Sequence, residues 1–162
     1  MKRHSSLVAM VLTVLSLFAV ARPAAAGDQA PFRGRLEGVV TITPDVPPFM
    51  LVLVEAEGKA NHLGRFSLTI PHRVNRDSRT AEGSYHFVAA NGDTLTADFT
   101  GQSFLTDTPG VLRIVEIATI TGGTGRFEGA TGGFVCERLF DTASGETTGS
   151  FDGTITPPGA VH

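Results

Sequence analysis

The sequence predicts an all-β chain of about eight short antiparallel strands, and three observations carry that prediction. Apolar residues recur at every second position in segment after segment, the segments are bounded by Pro, Gly and Asn-Gly punctuation, and no long stretch outside the N-terminus repeats with helical period. The connections are short, which favours antiparallel neighbours, because parallel strands need long crossovers. Such strands pair as a sandwich or close into a barrel, and closure removes the exposed edges that would template aggregation.

At the N-terminus, Lys2-Arg3-His4 precedes an apolar run from Leu7 to Val20, and Ala24-Ala25-Ala26 follows. This pattern is that of a secretory signal peptide over residues 1–26, too short in its apolar part to span a bilayer, and it predicts a secreted or periplasmic protein with no transmembrane segment after cleavage. Cleavage would remove Lys2, Arg3 and Arg22 but no acid, taking the formal charge from −3 to −6. An acidic remainder whose single Lys is Lys59 lacks the basic footprint that neutralises phosphates, so nucleic acid is excluded as a partner. Cys136 is the only cysteine. It has no intramolecular partner, and stability must come from core burial.

Residues 27–31 read as a flexible start, 32–155 as one domain and 156–162 as a flexible tail. From Phe32 to Thr43, Leu36, Gly38, Val40 and Ile42 lie on one side and Arg35, Glu37, Val39 and Thr41 on the other. Pro44, Pro47 and Pro48 end that strand. In Met50–Ala60, Val52, Val54 and Ala56 alternate with Leu53, Glu55 and Glu57, and Gly58 marks a bulge or close packing. Leu63–Ile70 alternates again until Pro71, and His72–Arg79 reads as an exposed connection. Ser84–Ala89 and Thr94–Thr100 flank Asn91-Gly92, a hairpin signal. Val111–Thr121, Phe134–Asp141 and Thr147–Ile155 complete the series.

Between Ile120 and Phe134 the chain reads ITGGTGRFEGATGGF. A dinucleotide fingerprint would require Gly where Glu128 stands, and no Lys-Ser/Thr pair completes a P-loop. The glycines instead suit a sharp strand-to-strand turn with Phe127 tucked into the core, in which Gly122, Gly123, Gly125, Gly129 and Gly132 are structural. The segment resembles the Thr-Gly-Gly-x-Gly-x-Phe-Glu-Gly-Ala-x-Gly stretch of allene oxide cyclases, matched by Thr121, Gly122, Gly123, Gly125, Phe127, Glu128, Gly129, Ala130 and Gly132. Dirigent proteins carry a looser version, and the likeness extends upstream through Ser84-Tyr85-His86-Phe87 and the Gly101 region. Gly58–Phe66, GKANHLGRF, also resembles a motif of bacterial exported proteins. The resemblance implies an eight-stranded antiparallel closed barrel of the allene-oxide-cyclase and dirigent, calycin-like, type. Such barrels hold small apolar molecules and associate as homo-dimers or trimers.

The plant cyclases use a Glu near an Asn early in the barrel and a Tyr before the Gly-rich turn. Here Glu37 matches the acid, but Gly38 and Val39 follow it, and Phe104 stands where the Tyr would be. Two readings follow: an exported barrel that binds a small apolar ligand or serves as a non-catalytic module, or a cofactor-free cyclase or isomerase. Glu37, Tyr85 and Arg113 are the catalytic candidates, and Phe87, Phe104 and Cys136 the ligand-binding ones. Arg113 shares a face with Val115 and Ile117 and is thereby the expected polar group inside the barrel. Cys136, on one face with Phe134 and Arg138, reads as a buried inert thiol. His62 reads as a turn residue and His86 as solvent-facing. No His spacing suits a metal, no nucleophile elbow occurs, and neither metal nor cofactor is expected.

Overall fold

A computed structural model describes residues 28–159; the expected signal peptide lies outside the described residues. Eight strands run in chain order: β1 (Ala30–Pro44), β2 (Phe49–Ala60), β3 (Gly64–Asn75), β4 (Thr80–Ala89), β5 (Thr94–Leu105), β6 (Val111–Gly123), β7 (Gly132–Asp141) and β8 (Glu146–Ile155). Each pairs antiparallel with the next, and β1 pairs with β8, so the sheet closes into a barrel. Of the two architectures left open by the alternation, the barrel is the one adopted, and it leaves no free edge.

The period-two pattern sorts the side chains as the sequence implies. Leu36, Val54, Leu68, Tyr85, Phe87, Leu95 and Phe151 face the lumen and are buried, whereas Glu37, Glu55, His86 and Asp98 face solvent. Strand lengths differ more. β1 opens at Ala30, paired with Ile155, two residues before the expected Phe32. β3 continues through Pro71 to Asn75, so His72–Asn75 is strand rather than exposed connection, and His72 points inward. Proline is tolerated there because the β3–β4 ladder is interrupted across Ile70 and Pro71 and resumes at His72↔Gly83 in the same register.

The turns follow local chemistry. At the β4–β5 hairpin Gly92 takes φ +89°, its N–H donates to Ala89 O, and the Ala89 N–H donates to Asp93 O. Asn91 keeps negative φ, so this is a longer, bulged turn rather than a two-residue one. His62 sits in the β2–β3 turn at φ +64° with Nε2 on Pro31 O, and Asn61 bonds the Pro31 carbonyl and the Arg33 N–H. The Gly58–Phe66 segment thus ties the β2–β3 turn to the start of β1. In the Gly-rich segment a one-turn helix, Gly125–Phe127, carries Phe127 into the core at 1% exposure. Thr121 is the extra residue of a bulge between Thr96↔Gly122 and Ala97↔Ile120.

Candidate functional site

The lumen has two unlike halves. Toward the β2–β3, β4–β5 and β6–β7 turns it is filled by the rings of Phe32, Phe66, Phe87, Phe134 and Phe151, with neighbouring centroids such as Phe32–Phe151 and Phe66–Phe87 only 5.0 and 5.2 Å apart. Leu63, Leu95, Phe127 and Ile155 close that end. Toward the opposite end, the mouth end of the barrel, inward-facing Val40, Met50, Val74, Ala81, Ser103 and Ile114 are only partly covered.

Where the halves meet, polar side chains converge from five strands. Arg138 on β7 donates from Nε and Nη2 to the two carboxylate oxygens of Glu116 on β6, at 3.0 and 2.5 Å, in a bidentate pair. Tyr85 on β4 donates its hydroxyl to Glu116 Oε2. Arg138 Nη1 donates to Thr147 Oγ1 on β8 at 3.3 Å, and that hydroxyl donates to Leu139 O at 2.8 Å. Glu116 and Arg138 are 0% and 2% exposed, and no buried side-chain N or O atom among the described residues lacks a partner. His72 on β3 completes the layer, its ring edge-on to Phe99 with centroids 5.7 Å apart and Nδ1 2.9 Å from Ile70 O.

Glycines make room for this layer. A Cβ on Gly101 would lie 2.9 Å from Glu116 Cγ, one on Gly149 2.6 Å from Arg138 Cγ, and one on Gly83 2.4 Å from His72 Cβ. Each long polar side chain therefore lies across the cross-strand neighbour that has no side chain of its own. The match of polar residue to glycine on three separate strand pairs makes the layer a packed unit.

Burial dominates the electrostatics. It pushes the Tyr85 hydroxyl well above its ordinary range, with the nearby Cys136 and Glu116 adding to it. The Cys136 thiol is pushed up to about 12 by burial and then by Glu116, so it stays protonated and inert as expected. For Arg138 burial opposes the charge, but the Glu116 carboxylate more than offsets it and holds the guanidinium above its ordinary value. His72 is lowered by burial, an effect the Ile70 carbonyl and Glu116 only partly oppose, so its imidazole is neutral at pH 7.

Several sequence-derived candidates stand elsewhere. Tyr85, Phe87 and Cys136 are in the lumen at 0% exposure. Glu37 is on the outer wall. Arg113 also points outward, paired with Glu137 at 3.2 Å, and the inward charge on β6 is Glu116. The expectation for Arg113 fails because Val115 and Ile117, which share its face, belong to an apolar outer wall, with Ile117 64% exposed. Phe104 is outside as well, beneath the Arg113 guanidinium. Glu116, Arg138, Thr147 and His72 are absent from the sequence-derived site candidates, and His72 falls in what the sequence reads as an exposed connection. A signal for two of them was present, since Arg138 follows Phe134 and Cys136 at even spacing and Glu116 precedes Ala118 and Ile120 in the same way.

Two open grooves lie on the outer wall. One, of about 680 Å³, runs over β2–β6 between Phe49, beneath Arg73, and the apolar Phe104, Val115 and Ile117. The other, of about 970 Å³, is charged, with Arg35, Glu57, Lys59, Arg65 and Glu137 among its lining. No group of three or more His, Cys, Asp or Glu able to hold a metal occurs among the described residues, nor any helix long and apolar enough to cross a membrane.

This eight-stranded antiparallel barrel, closed by its first and last strands, is dirigent-like in fold, as its likeness to solved structures shows. The chain superposes on the pterocarpan synthase dirigent protein GePTS1 with a TM-score of 0.53 at 14% identity, over 79% of this chain and 89% of that one. For the pterocarpan synthase dirigent protein PsPTS1 the values are 0.52, 10%, 79% and 94%. No family model and no curated protein matches the sequence. At these identities the likeness establishes the barrel fold.

Proposed function

We propose that the chain is an exported barrel that binds a small, largely apolar molecule in the mouth of its lumen and does not turn it over. The observation that carries this reading is the contrast within one lumen: one half is closed by phenylalanines, whereas the other leaves apolar side chains partly uncovered above a fully bonded polar floor. The dirigent-like barrel supports the binding half of this reading, since the two solved structures of that fold named above are pterocarpan synthase dirigent proteins. Turnover of the allene-oxide-cyclase kind would want a free acid inside. Glu37 is outside, and both oxygens of Glu116 are engaged by Arg138 and Tyr85.

Native mass spectrometry of protein purified from its own host tests binding; a retained small mass lost on organic extraction is expected. Ligand-free protein whose methyl resonances at Met50, Val74 and Ile114 ignore a panel of apolar probes would overturn it. The same spectra test export, because the exported chain should begin at Gly27, and an intact Met1 start would count against it.

The outer wall supports a second element of the reading, self-association. Phe104, Ile117, Val135 and Leu139 are 40%, 64%, 43% and 50% exposed on adjacent strands β5–β7, an apolar surface suited to a second copy. Ile117→Glu should shift a dimer or trimer to monomer in light scattering, and a wild-type monomer would refute association.

A further inference from the structure

The polar floor satisfies itself, but one group beside it does not. His72 Nδ1 is 2.9 Å from the Ile70 carbonyl, and a carbonyl can only accept, so the proton of the neutral ring sits on Nδ1 and Nε2 carries a lone pair. Nε2 makes no hydrogen bond among the described residues. No fully buried polar side-chain atom among the described residues lacks a partner, so the unpartnered Nε2 keeps some contact with solvent, and His72 points into the lumen from β3. The ring cannot turn freely, because it lies over Gly83, where even a Cβ would not fit, and against Phe99. Its other neighbours toward the mouth are Val52, Val74 and Ala81.

The arrangement is a fixed hydrogen-bond acceptor set in an apolar wall. A molecule that entered with no donor would desolvate Nε2 without replacing its water, which costs binding free energy. Arg138 is not the selecting group, since it is buried and its guanidinium is held in place by Glu116 and Thr147. Ser103, the inward hydroxyl at the mouth, both donates and accepts and so does not discriminate.

We infer that the lumen selects apolar molecules bearing a hydroxyl, and that His72 Nε2 accepts the hydrogen bond from that hydroxyl. This rests on the mouth being the ligand site. His72 is a specificity-determining residue in this scheme, and no bond is made or broken.

The test uses 2-naphthol and 2-methoxynaphthalene, which share a ring system and differ in having or lacking a donor. Fluorescence titration is clean because the chain has no Trp and 1 Tyr. Wild-type protein should prefer 2-naphthol by about tenfold, the effect of one net hydrogen bond. His72→Leu should abolish that preference by weakening 2-naphthol alone, and His72→Gln, whose side-chain carbonyl accepts, should retain part of it. Should His72→Leu fail to fold, nitrogen NMR of wild-type protein decides: the Nε2 resonance moves with 2-naphthol and not with its ether. Equal affinity of the two probes for wild-type protein, or a preference that survives His72→Leu, overturns the inference while leaving mouth binding intact. Binding of neither probe overturns both.

Discussion

The two ends of the barrel are made from the same strands and solve opposite problems. At the closed end the inward positions of β1, β3, β4, β7 and β8 are phenylalanines, whose rings meet edge-on and need no partner beyond one another. Toward the mouth a polar layer of Glu116, Arg138, Thr147 and His72 interrupts the apolar lining, each held by a named partner or seated on a glycine, and Val40, Met50, Val74, Ile114 and Phe140 lie at that end. The closed end gains stability from area removed from water; the polar layer, whose ions lose hydration, gains little net stability and fixes geometry. A fold that wanted stability alone would have continued the phenylalanines.

The sharpest way to break this comparison is to truncate each end. Phe87→Ala should cost about 3–5 kcal/mol in urea unfolding, whereas Met50→Ala at the partly covered mouth should cost about 1 kcal/mol or less. Similar losses at both sites would mean that the mouth is packed as tightly as the closed end.

The polar layer is tested next. Glu116→Ala leaves Arg138 buried without its counter-ion and should cost about 3 kcal/mol or more, while Glu116→Leu combined with Arg138→Met should recover most of it. Arg113→Ala, in the exposed pair with Glu137, serves as the control and should cost less than about 1 kcal/mol. A double variant no better than the single one would show the pair to be a net source of stability.

Seating by glycine predicts a smaller effect. Gly149→Ala would place its Cβ 2.5 Å from the Glu137 carbonyl as well as against Arg138, and about 1–3 kcal/mol should be lost. The loss should be smaller in the Arg138→Met background if the side chain, and not the carbonyl, is the main obstacle.

The smallest effect is a pH dependence. Because the native pKa of His72 is lowered, the unfolded chain takes up the proton first; the contribution is full above about pH 6.5 and is lost as pH falls below that value toward the native pKa. Urea midpoints at pH 7.5 and pH 5.5 should therefore differ by more in wild-type protein than in His72→Gln. Equal differences would mean that His72 is not desolvated.

The alternation of Leu36, Val54, Leu68 and Phe87 against charged neighbours was enough to read eight strands, and the Gly-rich turn with Phe127 inside was legible from its residues. Strand ends were less so. Pro71, Gly83 and Gly101 look like breakers, yet they lie within strands where a ladder is interrupted or a neighbour needs room, and both circumstances arise only once strands are paired. The same holds for the site. Glu116 and Arg138 are recognisable as inward once the outer wall is known to be apolar, but their contact depends on the β6–β7 register Glu116↔Cys136, which no local pattern specifies.

Pairing of Ala30 with Ile155 and of Val39 with Glu146 joins the two extremes of the fold. During synthesis β1 emerges first and must wait for β8, the last strand made, before it has its second neighbour. Until then two strand edges are open at once, and contacts of such long sequence separation form slowly. The barrel therefore closes only once its last strand is available, and every earlier arrangement leaves two edges to be kept from pairing elsewhere.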